Sequence, residues 1–379
     1  MKKNKLKKIV FASSNKSEWG GSEYLWYRTA LIFSEKGYDV LVTVPRWKKI
    51  PEEILRLKSG NIPLYFNTDT SAYKKIFNRM LPSSMQFDYR NDGNKCIREF
   101  SPDLTVINQG GNTGGADLME YCSENGIKFA TITQAANEAK WPDESLNKKL
   151  SAFLPKAEMN YYVSRANLKL TEIQIGQKIE NAKIIYNPFN VNYDNCIKYP
   201  EVTENYLIAN VARHEFYAKG QDILFRVLNE KKWRERNLTV SLYGKGEHTY
   251  QLKKLRDFFG LEKVIIRGHT DTEEIWKENH ALILTSRYEG LPLALVEAML
   301  CGRTSIVTDV SGNREVLTDG RNGFLAEFPA PEKVDEALER AWSERHRWKE
   351  IGENAREDIK KIIPADPPGY FFNELISLV

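Results

Sequence analysis

Leu284-Thr-Ser-Arg-Tyr-Glu-Gly-Leu-Pro-Leu-Ala-Leu-Val-Glu-Ala-Met-Leu-Cys-Gly302 says more about function than the rest of the chain. With the residues just ahead of it, it reads as a short strand from Ala281 to Leu284, a polar turn ending at Glu289-Gly290, and a helix. Pro292 suits the first helical position, where its missing N–H would have no partner in any case. Gly302 is a natural stop. One acid, Glu289, falls in the turn, and a second, Glu297, two turns into the helix. Free N–H groups at a helix start beside a glycine can receive a phosphate. The neighbouring carboxylate would repel that phosphate but can accept hydrogen bonds from hydroxyls. A ligand that carries both kinds of group is a nucleotide sugar.

Working outward, the same strand–turn–helix rhythm recurs. In the first half, Lys8 to Ser13, Asp39 to Val44, Leu104–Ile107, Phe129–Thr133, Tyr161–Val163 and Ile184–Tyr186 read as strands separated by helical stretches. The first helix begins at Ser22 and is closed by Gly37. In the second half, Tyr206–Val211, Thr239–Tyr243, Val264–Arg267, Ala281–Leu284, Ser305–Thr308 and Phe324–Ala326 alternate with helices in the same way. Such alternation predicts doubly wound α/β domains, in which ligands bind beyond the carboxyl ends of the strands. Segment 65–100, rich in Phe, Tyr, Arg and Asn, shows no clear period and reads as irregular. The expected division is a first domain over 1–187, a linker over 188–203 where Asn187-Pro188 breaks the pattern, a second domain over 204–345, and terminal helices over 346–379.

The 379 residues suffice for two such cores. Hydrophobic residues at 41% and charged ones at 28% are those of a soluble globular chain. No apolar run approaches the ~18 residues of a membrane span. Met1-Lys-Lys-Asn-Lys-Leu-Lys-Lys leads straight into a strand without a signal-peptide pattern, so a cytoplasmic location is expected. Cys96, Cys122, Cys196 and Cys301 show no metal spacing, which fits reduced thiols. Residues 1–190 hold 28 Lys and Arg against 20 Asp and Glu, and the remainder 27 against 31. The basic half could meet an anionic membrane surface. Nucleic acid is a poor fit, since no stacking-aromatic motif or recognition-helix pattern accompanies the charge.

The post-strand loops of the second half carry the chemistry. Arg213 and Lys219 flank a short loop ahead of a helix, where two cations can clamp a diphosphate. Gly244-Lys245-Gly246 permits close backbone approach. Gly268-His269-Thr270 could read a nucleobase with backbone groups. Each is ordinary alone; an Arg and a Lys six apart are usually just solvated.

In that order, however, they resemble the donor-binding domain of the GT-B retaining glycosyltransferases of family 4 (glycosyltransferase group 1). The matching pieces are Asn187-Pro188, Val211-Ala212-Arg213 with Lys219-Gly220, Gly244-Lys245-Gly246, Gly268, Glu289-Gly290-Leu291-Pro292 with Glu297-Ala298, Gly302, Gly312 with Glu315, and Gly320-Arg321-Asn322-Gly323-Phe324. They cover roughly 185–330. In the first half the resemblance rests on the opening strand, Gly20-Gly21-Ser22-Glu23 and Val163-Ser164. Ala212 stands where the family usually has glycine.

The resemblance implies an α/β fold of GT-B architecture, two Rossmann-like domains facing a central cleft. It implies Arg213, Lys219 and Glu289 as catalytic groups, the cations holding the leaving diphosphate and Glu289 accepting from the transferred sugar. Donor and sugar would also meet Gly20, Gly21, Gln134, Gly244, Gly268, His269, the backbone of Gly290, Leu291 and Leu293, and Pro292, which has no N–H to offer. Glu297 would take the ribose hydroxyls. No cofactor and no metal are implied beyond the nucleotide-sugar co-substrate. The acceptor would be a glycan or lipid-linked hydroxyl in bacterial surface polysaccharide or lipopolysaccharide synthesis, with the enzyme cytoplasmic or peripheral on the inner face of the plasma membrane.

Many relatives place a histidine in the first domain. Here all five, His214, His248, His269, His280 and His346, lie beyond residue 200. Gln134, which can orient a hydroxyl but cannot exchange its proton, ends the corresponding strand, and Asn108-Gln109-Gly110-Gly111-Asn112 after another strand is a second lining. A nucleotide-sugar epimerase of the same fold, or a catalytically silent sugar- or lipid-binding protein on it, are the alternatives. Tyr370, Phe371, Leu375 and Leu378 give the last helix an apolar face with which to cross back to the first domain.

Overall fold

Short runs of aliphatic and β-branched residues, each closed by glycine, asparagine or a polar turn, form two sheets in which every strand is parallel to its neighbours. Strands of this kind are buried on both faces, which is why they read as near-continuous apolar runs. The computed structural model describes residues 7–16, 19–47, 50–67, 92–195 and 197–379. The chain divides into two units, Met1–Val163 with Asn167–Asn187 and Asp366–Val379, and Ser164–Ala166 with Pro188–Ala365.

In the first unit the strands are β1 (Lys8–Ser13), β2 (Asp39–Pro45), β3 (Leu64–Asn67), β4 (Leu104–Gly111), β5 (Phe129–Ala135), β6 (Met159–Tyr162) and β7 (Ala182–Ile184). Their order is β3-β2-β1-β4-β5-β6-β7, so the direction of winding reverses between β1 and β4. Phe11, Val42, Val106 and Ile132 pack beneath Trp26 and Phe33 of the helix Gly21–Glu35. The last helix, Pro367–Ile376, joins this same core. Phe372 lies 4.5 Å from Phe33 and Phe371 5.0 Å from Tyr161, ring centre to ring centre. Burying Phe371 and Leu375 contributes about 1.5–3 kcal/mol each. Phe372 is buried with them, whereas Tyr370 faces outward.

The second unit holds β8 (Tyr206–Val211), β9 (Leu238–Tyr243), β10 (Val264–Gly268), β11 (Ala281–Leu284), β12 (Thr304–Thr308) and β13 (Phe324–Ala326). The order is β10-β9-β8-β11-β12-β13, with its reversal between β8 and β11. Ile208, Val240, Leu242 and Ile283 form the sheet side of the core, covered by residues that include Phe225, Leu338 and Trp348. The expected α/β class with doubly wound sheets is thus found in both units.

Three local expectations need correction. Asn108, Gln109, Gly110 and Gly111 do not follow a strand but finish β4, with a register shift between Asn108 and Gly110. Gln109 survives there because both ends of its amide are satisfied: it donates to the Gly114 carbonyl at 2.8 Å and accepts from Thr133 at 2.7 Å. Segment 65–100 is not irregular at its flanks, which are β3 and the helix Asp92–Phe100; residues 68–91 lie outside the described residues. Pro292 is the cap ahead of the helix Leu293–Leu300 rather than its first residue. Its ψ of 125° is extended, and its carbonyl accepts from Leu295 and Val296.

Candidate functional site

In an open parallel sheet, the loops leaving the two strands on either side of the winding reversal diverge, and ligands bind in the crevice between them. In the second unit those loops follow β8 and β11. The first carries Arg213 and Lys219 and the second Glu289. Lys219 Nζ donates to both carboxylate oxygens of Glu289 at 2.7 Å. Ser286 Oγ donates to Glu289 Oε1 at 2.7 Å, and the Glu289 amide donates to Ser311 Oγ at 3.0 Å. Glu289 is buried and Lys219 one-fifth exposed. Ser311 is held at φ +50°, a strained conformation for serine that aims its hydroxyl at this amide.

Backbone proximity fixes the Lys219 loop. Gly220 has φ +61°, and a Cβ there would stand 2.0 Å from the Thr285 carbonyl, so only glycine fits. Thr285 Oγ1 donates to the Gly220 carbonyl at 2.8 Å. Arg287 then clamps Asp222 through two bonds of 2.8 and 2.7 Å, the bidentate form that fixes orientation. Arg213 sits on the same loop with its side chain exposed, while its carbonyl accepts from Gln221.

The loops after β8, β9 and β10 are joined edge to edge by main chain. Ala212 donates to Tyr243 at 3.0 Å, Gly244 to Gly268 at 2.7 Å and His214 to Lys245 at 3.2 Å. A Cβ on Gly244 or Gly246 would meet the Ala212 or His214 carbonyl at 2.1 or 2.3 Å. His269 is exposed beside Gly268. His214 is fully buried, its Nδ1 2.9 Å from Thr249 Oγ1 and its Nε2 without a partner among the described residues; burial pushes its pKa down.

Gly290, Leu291 and Pro292 lead into the helix Leu293–Leu300. The amides of Leu295 and Val296 are used by Pro292, so Leu293 and Ala294 precede the first helical bonds. Gly290 offers its carbonyl to Gly312 at 3.0 Å. Glu297 is buried in the second turn, and its Oε1 accepts from the Asn190 amide at 2.9 Å and from Asn190 Nδ2 at 3.2 Å.

Residues 196–358 match the family model for glycosyl transferases group 1. A protein of Haemophilus influenzae described as an uncharacterized glycosyltransferase is 26% identical over 379 aligned residues, 94% of this chain and 98% of its own. The poly(ribitol-phosphate) alpha-N-acetylglucosaminyltransferase of Staphylococcus aureus is 25% identical over 54% of this chain and 43% of its own length. The crystal structure of Anabaena HepE in complex with UDP-glucose has a TM-score of 0.75 at 19% identity, covering 98% of this chain and 100% of that one. The fold is therefore that of the GT-B glycosyltransferases.

The glycosyltransferase group 1 match spans Arg213, Lys219, Gly244, Gly268, His269, Glu289 through Leu293, and Glu297. Of these the fold brings Lys219 and Glu289 into contact, and sets the Gly244 and Gly268 loops side by side. Several supports escaped sequence reasoning: Ser286 and Ser311 around Glu289, the Arg287–Asp222 clamp, and Asn190 against Glu297. Glu315, seen only as part of a motif, accepts from the amides of Arg165 and Ala166 at 3.0 and 2.8 Å.

The first unit has its own polar cluster at its winding reversal. Glu23 is fully buried, and Oε2 accepts from Trp26 Nε1 at 2.7 Å and Ser13 Oγ at 3.0 Å. Oε1 accepts from Asn15 Nδ2 at 2.8 Å, Asn108 Nδ2 at 3.0 Å and Ser22 Oγ at 3.4 Å. Burial raises the carboxyl pKa, and the hydrogen bonds from Asn15, Trp26, Ser13 and Asn108 oppose that rise. Gly20, with extended backbone, and Gly21 form the start of this helix. Gln134 is the penultimate residue of β5; its Oε1 accepts from Asn187 at 2.7 Å, and its buried Nε2 has no partner among the described residues.

Among the described residues, one group of acids and a histidine is close enough to share a cation: Glu215, Glu247 and His248. The donor set fits poorly. His248 Nδ1 accepts from the Phe216 amide at 3.0 Å, which puts the proton of the neutral ring on Nε2 and leaves that nitrogen no lone pair for a metal. Glu215 is already bonded to the Ala218 amide through both oxygens.

Proposed function

We propose that this chain is a retaining glycosyltransferase of family 4, moving a hexose-type sugar from a nucleoside diphosphate to a hydroxyl of a glycan or lipid-linked acceptor. The observation that carries the proposal is the Lys219–Glu289 contact at the reversal point of a sheet whose loops match the group 1 family. Lys219 and the exposed Arg213 supply positive charge for the departing diphosphate, and the amides that open the helix Leu293–Leu300 add their dipoles. Glu289, held by Ser286, accepts from the hydroxyls of the transferred sugar, and the lysine moves from carboxylate to phosphate as the ligand enters. Glu297 is the ribose ligand, with Asn190 fixing one of its oxygens.

The C1–O bond to the β-phosphate breaks, a C1–O bond to the acceptor forms on the same face, and the acceptor proton passes to the phosphate oxygen. Such a step asks no side chain of the first unit to take a proton, which accommodates Gln134 where relatives have histidine. Cationic side chains do the charge work, so the reaction is metal-independent. The names of the relatives favour surface-polymer synthesis: one glycosylates poly(ribitol-phosphate), and a solved neighbour is a lipopolysaccharide outer core galactosyltransferase. No helix among the described residues is long and apolar enough to cross a membrane. Contact with an anionic inner leaflet through the basic first half remains part of the proposal; Met1 to Leu6, the Lys-rich tail, lie outside the described residues.

The test is a thermal-shift and turnover screen against UDP, GDP, ADP and TDP with their common sugars. One nucleotide should stabilise the protein, and its sugar conjugate should turn over in the wild type but not in Glu289→Gln. Stabilisation by none of them, or equal turnover in both proteins, would sink the reading.

A further inference from the structure

The loop joining β5 to the next helix leaves a tryptophan in water. Trp141 is 59% exposed, the most open tryptophan among the described residues. The loop beneath it is nevertheless rigidly built. Gln174, buried in the helix Arg165–Ile175, donates to the carbonyls of Asn137 at 2.8 Å and Lys140 at 3.3 Å. The same Gln174 accepts from Asn112, beyond β4, at 2.6 Å, and its own carbonyl accepts from Asn147 at 3.0 Å. Asn137 Oδ1 caps the Ala139 amide, and the indole N–H is tied to the Glu138 carbonyl at 2.9 Å. Pro142 then restricts the residue before it, and Asp143 caps the helix Glu144–Phe153. An indole locked by its own N–H and facing solvent is a pre-organised contact surface, with little entropy left to lose on binding.

We infer that Trp141 is a stacking platform for a neutral sugar ring of the acceptor. It stands at the carboxyl edge of the first unit's sheet, the side on which such sheets bind ligands. Its sequence neighbours select the partner. Glu144 is paired with Lys148, and Glu138 and Asp143 still outnumber Lys140, which disfavours an anionic lipid surface or a phosphate. Asn137, Glu138 and Lys140, its neighbours in sequence, carry hydrogen-bonding rather than apolar side chains, unlike the core of a protein interface. The electron-rich indole face beside polar groups suits a pyranose, whose axial C–H bonds carry slight positive charge and whose rim carries hydroxyls.

This inference rests on the glycosyltransferase reading, and one experiment separates the two. Saturation-transfer NMR would be recorded on the full chain with UDP-glucose and with the methyl glycosides of glucose, galactose, N-acetylglucosamine, mannose and rhamnose. At least one methyl glycoside should receive saturation on the ring protons of a single face. That signal should fall at least fivefold in Trp141→Ala and be largely kept in Trp141→Phe, with the UDP-glucose signals equal in all three proteins. A glycoside signal unchanged in Trp141→Ala overturns the platform, as does saturation of UDP-glucose with no glycoside responding. If no glycoside responds and none of UDP, GDP, ADP and TDP stabilises the wild type, the glycosyltransferase reading falls and the platform with it.

Discussion

Each unit places a glutamate at the winding reversal of its parallel sheet, and the two glutamates are solvated in opposite ways. Glu23 is enclosed by Ser13, Asn15, Ser22, Trp26 and Asn108, all of them uncharged donors. Glu289 is met by a lysine and a serine. Neutral donors that fill every lone pair make a carboxylate a structural anchor, with nothing left for a ligand. A mobile ammonium, by contrast, can be surrendered to an incoming phosphate, freeing carboxylate lone pairs for hydroxyls. On the proposed reading, position in the fold alone does not make an acid functional; what donates to it does.

The comparison breaks most sharply at the charged pair. Lys219→Met should cut kcat/KM for the nucleotide sugar by about 10²–10³, the cost of one lost transition-state donor or cation. It also leaves Glu289 buried without its cation, so circular dichroism and a melting curve should accompany the kinetics. A fall of less than tenfold would refute the division of labour drawn above. Glu23→Ala should strand the Trp26 and Asn108 donors and lower unfolding free energy by about 3 kcal/mol, read from denaturant midpoints. Nucleotide affinity per folded molecule should stay within twofold; a tenfold loss would make Glu23 more than an anchor.

Gly220→Ala tests the seat of the lysine. With φ +61° and the Thr285 carbonyl 2.0 Å from the new Cβ, it should cost about 2 kcal/mol or more and raise the nucleotide-sugar KM. Unchanged melting would mean the loop relaxes at no cost. The smallest effect concerns pH. His214 and His280 both have pKa values lowered by burial, so the unfolded chain binds more protons than the folded one as pH falls below the ordinary histidine value of 6.5. Stability should be complete above that pH and decline below it towards the folded values. His214→Gln should flatten part of that decline in melts taken between about pH 5 and 7.5, and an identical slope would remove His214 from the account.

The second unit was largely legible because apolar runs, glycines and charged loop residues recur there in a fixed order. Tyr206–Val211, Ala281–Leu284 and Phe324–Ala326 are strands with the bounds read from sequence. The first unit was less so. Asn-Gln-Gly-Gly looks like a turn, yet it ends β4, since long-range side-chain bonds override local turn preference. Glu23 figures only as the end of the Gly20-Gly21-Ser22-Glu23 motif, because its donors come from residues as far away as Asn108. Ser311 and Asn190 were invisible for the same reason: their roles depend on contacts across 22 and 107 residues. The fold class needed only periodicity, whereas the polar contacts of the site needed coordinates.

The main-chain bonds that join the loops after β8, β9 and β10 have a consequence for how specificity can change. They continue the sheet beyond its last regular pairs as a main-chain ledge, with Thr249 Oγ1 bonding Gly246 and His214 from beneath it. Lys245 and His269 stand on it as exposed attachments. Swapping them should alter which nucleobase or sugar is favoured while the ledge keeps its shape, much as one tool holder accepts different blades.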